Sequence, residues 1–473
     1  MNETNVNKAN ESNESWFTLI IITLAIFIMS IDTSFLNVSI LPLVNDLHTN
    51  ISTIQSIIVI YALVLASLTL LSGELQKVLG RKEIFLIGAA IFGAGTLIAA
   101  TSINSNMLLL GWSVMEGIGG ALMWVATYSI VIGAYSGKKR ALALGIVSSV
   151  AAAASIAGPL IEGILTTYYT WRYAFGLEFI IVIAILLSYR VIPSFPKTMN
   201  RSDIDIIGAI NSGLGIFLLV YGLILLNNPY TWYISACTII AGIILLIVFF
   251  INQRSRINRN KNPLLDIRIF QIRSFDIGNI IRFLYGFTMS GIFFVIPVFV
   301  QTILGFNALT TSYIFIAMAL PMLVVTFTTG EVSARFQPRY IISAGFLICL
   351  IGSIYLTSVF NLHTSLMQII LGIAVMGLGI GILVPHASNL TFYNISPEKQ
   401  PDASAVRTTN ANLSSSVGTA ILGLILLIGT FSGLSSEKLV GGMINVFYAV
   451  VILFFIGLIV SQFIPKKEEL GDM

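Results

Sequence analysis

Again and again along this chain, about twenty residues pass with scarcely a charge among them. A helix of that length, rising about 1.5 Å per residue, matches the ~30 Å hydrocarbon core of a bilayer. Fourteen such runs can be drawn: 17–41, 53–72, 84–103, 107–133, 141–166, 174–192, 204–226, 231–251, 277–303, 309–329, 340–359, 366–393, 405–430 and 443–464. Only 10% of the residues are charged, against about 25% in a soluble domain, so no water-soluble fold could cover this surface. The expectation is an all-α protein that spans a membrane many times. The first run is too long for a cleavable signal peptide, lacks a basic leading region and contains Asp32.

Basic residues orient the spans, because Lys and Arg collect on the cytoplasmic side. With a cytoplasmic N-terminus and fourteen spans, the 25 Lys and Arg residues all fall inside except Arg172, Lys438 and the intramembrane Arg282. Shifting the count by one span scrambles that partition, so both termini are expected in the cytoplasm. The net charge of +4 then reports topology and gives no reason to expect nucleic-acid binding. Cys237 and Cys349 fall inside runs and read as packing residues.

Two segments look alike at half-chain spacing. Gly73-Glu74-Leu75-Gln76-Lys77-Val78-Leu79-Gly80-Arg81-Lys82 and Gly330-Glu331-Val332-Ser333-Ala334-Arg335-Phe336-Gln337-Pro338-Arg339 are 257 positions apart, each between apolar runs. A charged turn repeated in this way signals an internal duplication, which is how many secondary transporters are built. The expected organisation is a tail at 1–16, an N-terminal six-helix bundle at 17–192 and two inserted helices at 204–251. A basic loop at 252–276, a second six-helix bundle at 277–464 and a tail at 465–473 follow. The inserted helices carry no carboxylate within the membrane and are expected at the periphery, facing lipid. Glycines in several runs read as close helix contacts. Gly158-Pro159 would kink its helix and could serve as a gate hinge.

Within that frame the motifs resemble the major facilitator superfamily, in its fourteen-helix drug:proton antiporter branch. Gly73 to Lys82 is similar to the family's loop 2–3 motif. Ile31-Asp32-Thr33-Ser34 with Asn37-Val38-Ser39 and Pro42 is similar to the branch's helix 1 motif, and Ala154, Gly158-Pro159 and Gly163 to its helix 5 antiporter motif. Trp171-Arg172-Tyr173, Pro263 to Asp266 and Pro297 to Gln301 fit the same branch. The resemblance implies two pseudo-symmetric bundles that rock about a central site. It also implies a gating role for Gly73, Glu74, Lys77, Gly80, Arg81 and Lys82. The chain departs from the pattern too. Lys77 stands where the family has an acid that latches the bundles, which leaves Glu74 as a substitute. Ser113 and Glu116 stand where helix 4 has Arg and Gln, and Glu162 replaces a glycine.

Four acids lie within the runs: Asp32, Glu116, Glu162 and Glu178. A charge at the bilayer centre costs about 2.5–3.5 kcal/mol even on a lenient scale, so such residues face an interior. All four belong to the N-terminal bundle, with no basic residue beside them in the sequence. Asp32 and Glu116 fall near mid-depth. Glu162 and Glu178 fall near the outer ends of their helices, where they either join the cavity or reach the wet interface. A carboxyl desolvated without a counter-ion favours its neutral form, so a proton and a lipophilic cation could compete for it. Asp32 is the first choice for that site and Glu116 the second. Asn410 and Asn412 are candidates to line the path, Arg282 to form a gating ion pair, and His386 to make a polar contact. Trp124, Tyr128, Phe283, Tyr285 and Phe294 could form an aromatic wall.

The function expected is proton-coupled efflux of amphipathic, cationic small molecules from a prokaryotic plasma membrane, by a monomer among membrane lipids, without cofactor or metal. An exporter of one metabolite or of a lipid is the alternative. A membrane-embedded enzyme is disfavoured, because no Asp-x-x-Asp cluster or zinc-ligand spacing occurs. An ATP-driven pump is disfavoured because no phosphate-binding loop occurs.

Overall fold

The computed structural model describes residues 16–197, 199, 204–226, 229–396, 399–428 and 435–465. The tails read at 1–16 and 465–473 lie almost wholly outside the described residues. Among those residues there are fourteen long helices. They are α1 (Trp16–Phe35), α2 (Ile51–Leu79), α3 (Arg81–Ala100), α4 (Ser105–Ala134), α5 (Gly137–Tyr168), α6 (Arg172–Leu187) and α7 (Ile206–Leu225). Then come α8 (Trp232–Asn258), α9 (Arg273–Thr302), α10 (Ala308–Arg335), α11 (Pro338–Val359), α12 (Leu366–Phe392), α13 (Gln400–Leu427) and α14 (Ser436–Ser461). Thirteen are long and apolar enough to cross a membrane. The exception is α6, whose 16 residues reach only about 24 Å.

Short polar caps fix where several helices start. The Asn50 side chain accepts from Thr53 N–H at 2.8 Å, and Ser365 closes a capping box with Gln368. Gly80, between α2 and α3, sits at φ 113°, a region open to glycine. The first apolar run does not continue to residue 41. It breaks into a 3-10 turn at Leu36–Val38 and a short helix at Ile40–Asp46. Pro42 falls in the first turn of that short helix, where a missing N–H costs nothing.

The duplication reaches the helix starts. Trp16, Ile51 and Arg81 open α1, α2 and α3, and Arg273, Ala308 and Pro338 open α9, α10 and α11, each 257 positions later. The packing partners repeat as well. In the first half α3 packs on α4 and α6, and α1 on α5; in the second α11 packs on α12 and α14, and α9 on α13. Gly88 and Gly95 of α3 recur as Gly345 and Gly352 of α11, and all four press against backbone of the neighbouring helix.

The halves meet through α2 against α13 and α5 against α10. Their hydrogen bonds gather at one end of the molecule. Gln55 Nε2 donates to the Thr419 and Ala420 carbonyls, and Gln301 Nε2 donates to the Val38 carbonyl at 2.7 Å. Gln301 Oε1 accepts from Leu41 N–H, and Thr167 Oγ1 accepts from Leu309 N–H. At the expected hinge, the Pro159 carbonyl accepts from Ser312 Oγ at 2.5 Å. Toward the other end, α5 exposes Gly145, Ser148, Ser149, Ala152 and Ser155. Such small and polar side chains suit a surface that faces water better than one that faces lipid.

Of the inserted pair, only α8 is peripheral. Its partner α7 packs on α2 and touches α13, and Gly213 lies against the Ser67 carbonyl. The buried Gln253 of α8 donates to Asp205 at 2.7 Å and accepts from Leu264 N–H, tying the pair to the loop before α9.

These contacts predict where size is tolerated. A Cβ at Gly119 would lie 2.5 Å from Phe92 N and 2.6 Å from the Gly88 carbonyl oxygen, whereas one at Gly176 would meet nothing within 4 Å. Gly119→Val should cost about 1–3 kcal/mol of stability or more, read as a lower unfolding temperature in detergent, and Gly176→Ala should leave that temperature unchanged.

Candidate functional site

The geometry starts from an irregularity in α4. Residues Leu109–Glu116 form a π-helical stretch, a wider winding that often marks functional sites. It lies where α3 and α4 approach closely: Gly95 presses on the Gly111 carbonyl, and its absent Cβ leaves room for Glu116. Gly117 packs on Val64 of α2. Ser113 Oγ donates to the Ile57 carbonyl at 2.7 Å, joining α4 to α2. The wider turn carries Trp112 and Glu116 inward together.

Asp32 of α1 meets them. Trp112 Nε1 donates to Asp32 Oδ1 at 2.6 Å. The Tyr61 ring of α2 stacks on Trp112 at 4.7 Å between centroids, 6° from parallel, and its hydroxyl lies close to the same carboxyl. Glu178 of α6 completes the group: one oxygen each of Asp32, Glu116 and Glu178 lie within 4.8 Å of one another. Those three oxygens are near enough to share one metal ion, a grouping the sequence did not foretell. Glu162 of α5 is next in line, beside Glu178. Ser39 Oγ donates to Glu162 Oε1 and also hydrogen-bonds Thr166 Oγ1, which donates to Glu162 at 2.9 Å. Glu162 and Glu178 both line a small cavity among Phe27, Ile28, Ile31 and Ile181, with room for about one water.

Asp32, Glu116 and Glu162 are 0% exposed and Glu178 is 2% exposed. Both oxygens of Glu116, both of Glu178 and one of Glu162 have no hydrogen-bond partner. Among the described residues none of the four acids is in an ion pair. The wet outer interface considered for Glu162 and Glu178 is therefore not where they lie. Thr96, near Glu116, gives its proton to the Phe92 carbonyl at 2.9 Å.

The other sequence candidates lie elsewhere. Asn410 of α13 donates to the Asn279 carbonyl of α9 at 2.9 Å, within the second half. The Asn412 carbonyl accepts from Ser416 Oγ. Arg282 donates to Tyr285 Oη at 2.8 Å and to Ser388 Oγ at 3.4 Å, so its nearest partners are hydroxyls. It is not the only cation within a span: Arg407, assigned above to the cytoplasmic side, lies inside α13 over the Phe392 ring. His386 Nδ1 sits 2.7 Å from the Ile382 carbonyl.

Around the loop 2–3 motif, Gly73 is unobstructed and Lys77 pairs with the buried Glu74 at 2.5 Å. Glu74 is thus held by its own helix, while the Lys77 charge acts on Asp402 in the first turn of α13. Arg81 donates to the Ser129 carbonyl at 2.7 Å and Lys82 lies over the Tyr189 ring. Gly158 is buried. Nearby, Arg268 and then Lys399 hold the Asp266 carboxyl down to about 2. Its depressed value means that the stability it contributes is complete above its unfolded range and fades as pH falls toward 2.

Sequence reasoning missed Tyr61, Trp112, Thr166 and Arg407. Spacing was the available signal: Trp112 and Glu116, like Glu162 and Thr166, are four residues apart and share a helix face.

The comparisons with known proteins agree with this architecture. The family model of the Major Facilitator Superfamily matches residues 22–257 and 206–419. The riboflavin transporter RibZ of Clostridioides difficile is 24% identical over 465 residues, 96% of this chain and 99% of that one. The multidrug efflux pump LfrA of Mycolicibacterium smegmatis is 26% identical over 417 residues, 87% and 81% of the two chains. The lincomycin resistance protein LmrB of Listeria innocua is 26% identical over 445 residues, 92% and 93%. Among solved structures, a peptide transporter (POT) in complex with sulfate superposes with a TM-score of 0.70 over 94% of both chains at 14% identity. The human organic anion transporter MFSD10 (TETRAN) gives 0.63 over 94% and 99%, also at 14%. At that identity the likeness concerns the fold.

The chamber makes a prediction about stability. Trp112→Phe keeps the stack on Tyr61 but removes the donor to Asp32, and should cost about 1–3 kcal/mol. Glu116→Gln and Glu178→Gln remove an uncompensated acid and should leave the unfolding temperature in detergent equal or higher. A marked fall would mean that these carboxylates hold a counter-ion.

Proposed function

The chain belongs to the Major Facilitator Superfamily, in its drug:proton antiporter branch, and we propose that it exports amphipathic small molecules in exchange for protons by alternating access. The observation that carries this reading is the chamber of four buried carboxyls with no ion pair among the described residues. Their charge must be balanced by something that arrives from outside. The cavity beside Glu162 and Glu178 has room for about one water, which suits a proton there. In this reading the acids take the protons and the space between the halves takes the cargo.

The coupling runs through the hydrogen bonds around Glu162. Ser39, which donates to Glu162, lies between Val38 and Leu41, the two residues that grip Gln301 of the other half. Thr166, the second donor, adjoins Thr167, which holds Leu309. A proton on Glu162 changes what Ser39 and Thr166 bond to, and so bears on the closed end. Each proton moving inward contributes about 2.3 kcal/mol per 100 mV. With fourteen spans and both termini cytoplasmic, the closed end is the outer one and the cleft opens inward. A monomer in a prokaryotic plasma membrane completes the proposal. As a superfamily member the chain is a transporter and not an enzyme. The similarity to a riboflavin transporter supports a second reading, export of one metabolite by the same cycle.

Proteoliposomes with an imposed pH gradient test this. At one proton per cargo, one pH unit supports about ten-fold accumulation. Wild type should accumulate ethidium or fluorescein to that order, and Asp32→Asn, Glu116→Gln and Glu162→Gln should bring the ratio to about 1. Undiminished accumulation in all three variants would refute the role of the acids.

A further inference from the structure

The second half holds the opposite charge. Arg282 on α9 and Arg407 on α13 flank the Asn279–Asn410 hydrogen bond that joins the two helices, each three residues from the asparagine on its own helix. The guanidiniums are near enough for each charge to act on the other, and Tyr128 of α4, from the first half, lies in the same field. Arg282 spends one nitrogen on Tyr285 and Ser388, while Arg407 lies over the Phe392 ring at 5.4 Å. The Nε atoms of both, and Thr409 Oγ1, are buried without a hydrogen-bond partner. Among the described residues neither arginine is in an ion pair.

We propose that Arg282 and Arg407 form a binding site for an anionic group of the cargo: a carboxylate, phosphate or sulfonate. Two permanent charges that repel each other inside a membrane protein favour an anion beside them, and among the described residues no acid pairs with either. An arginine that snorkels to lipid would project its head into water. These two are half-buried beside aromatic rings, and apart from the Arg282 nitrogen held by Tyr285 and Ser388 their planar forks are open to a multi-oxygen anion. Trp124 and Tyr128, with ring centroids 6.3 Å apart on the facing helix, offer an apolar wall for the rest of such a molecule. The cargo is then an amphipathic anion or zwitterion. Protons for exchange load in the first half, and the anionic group is held by the second. This assignment rests on the export reading above.

The test is equilibrium binding, which needs no transport, so a failure of proton coupling leaves it intact. Fluorescein and rhodamine 123 share a ring skeleton and carry opposite charge. Their fluorescence anisotropy is titrated with protein in phosphatidylcholine nanodiscs. Wild type should bind fluorescein, and Arg282→Gln and Arg407→Gln should each weaken it about ten-fold or more without weakening rhodamine 123. Should a Gln variant not fold, Arg407→Lys replaces it, with a several-fold loss expected because the fork is gone. Unchanged fluorescein affinity in folded variants, or no fluorescein binding by wild type, would overturn the assignment. Displacement of fluorescein from wild type by phosphatidylglycerol would give the site to a lipid headgroup and overturn it too.

Discussion

Four carboxyl groups are removed from water with no cation among the described residues paired to them, and much of the first half is arranged around that fact. Placing a charge in a bilayer interior costs several kcal/mol. A structure keeps such groups only where their neutralisation does work. The π-helical stretch of α4, the glycine contact between α3 and α4 and the Trp112–Tyr61 stack bring Asp32, Glu116 and Glu178 together. Glu162 extends the group to Ser39 and Thr166, whose neighbours close the molecule at one end.

The duplicated halves have diverged in charge while keeping their packing. Gly88 and Gly95 return as Gly345 and Gly352, yet the first half encloses acids and the second carries the half-buried Arg282 and Arg407. In the proposed cycle, a charge of one sign in each half would let a proton and an anion occupy the same protein without competing for one pocket. Alternating access can then depend on both.

Much of this was legible in the sequence. The apolar runs located every long helix, though ends such as Leu79, Asn258 and Ser436 lie seven residues beyond the runs, and the Gly73 and Gly330 segments announced a repeat that the helix starts follow at 257 positions. The four acids stood out because charge is rare in such runs. Their convergence did not stand out, for it depends on how helices rotate against one another and on a wider turn in α4 that shifts Trp112 and Glu116 around the axis. The bend at Asn37 and Ser39 was hidden inside an apolar run. Arg407 was lost because a basic residue near a span's end reads as an interfacial anchor, whereas α13 begins at Gln400 and carries it inside. Lys77 was visible as a departure from the family's acid, but its field on Asp402 follows from the pairing of α2 with α13.

The central claim is that protons balance the charge of the chamber. Infrared spectroscopy of the wild-type protein in nanodiscs at neutral pH, compared with Asp32→Asn, Glu116→Gln, Glu162→Gln and Glu178→Gln, reads this directly. The account predicts carboxylic acid C=O bands in wild type that shift on exchange into deuterated water and are lost, band by band, in the variants. Carboxylate bands alone, accompanied by a bound inorganic cation in elemental analysis that Glu116→Gln releases, would contradict it.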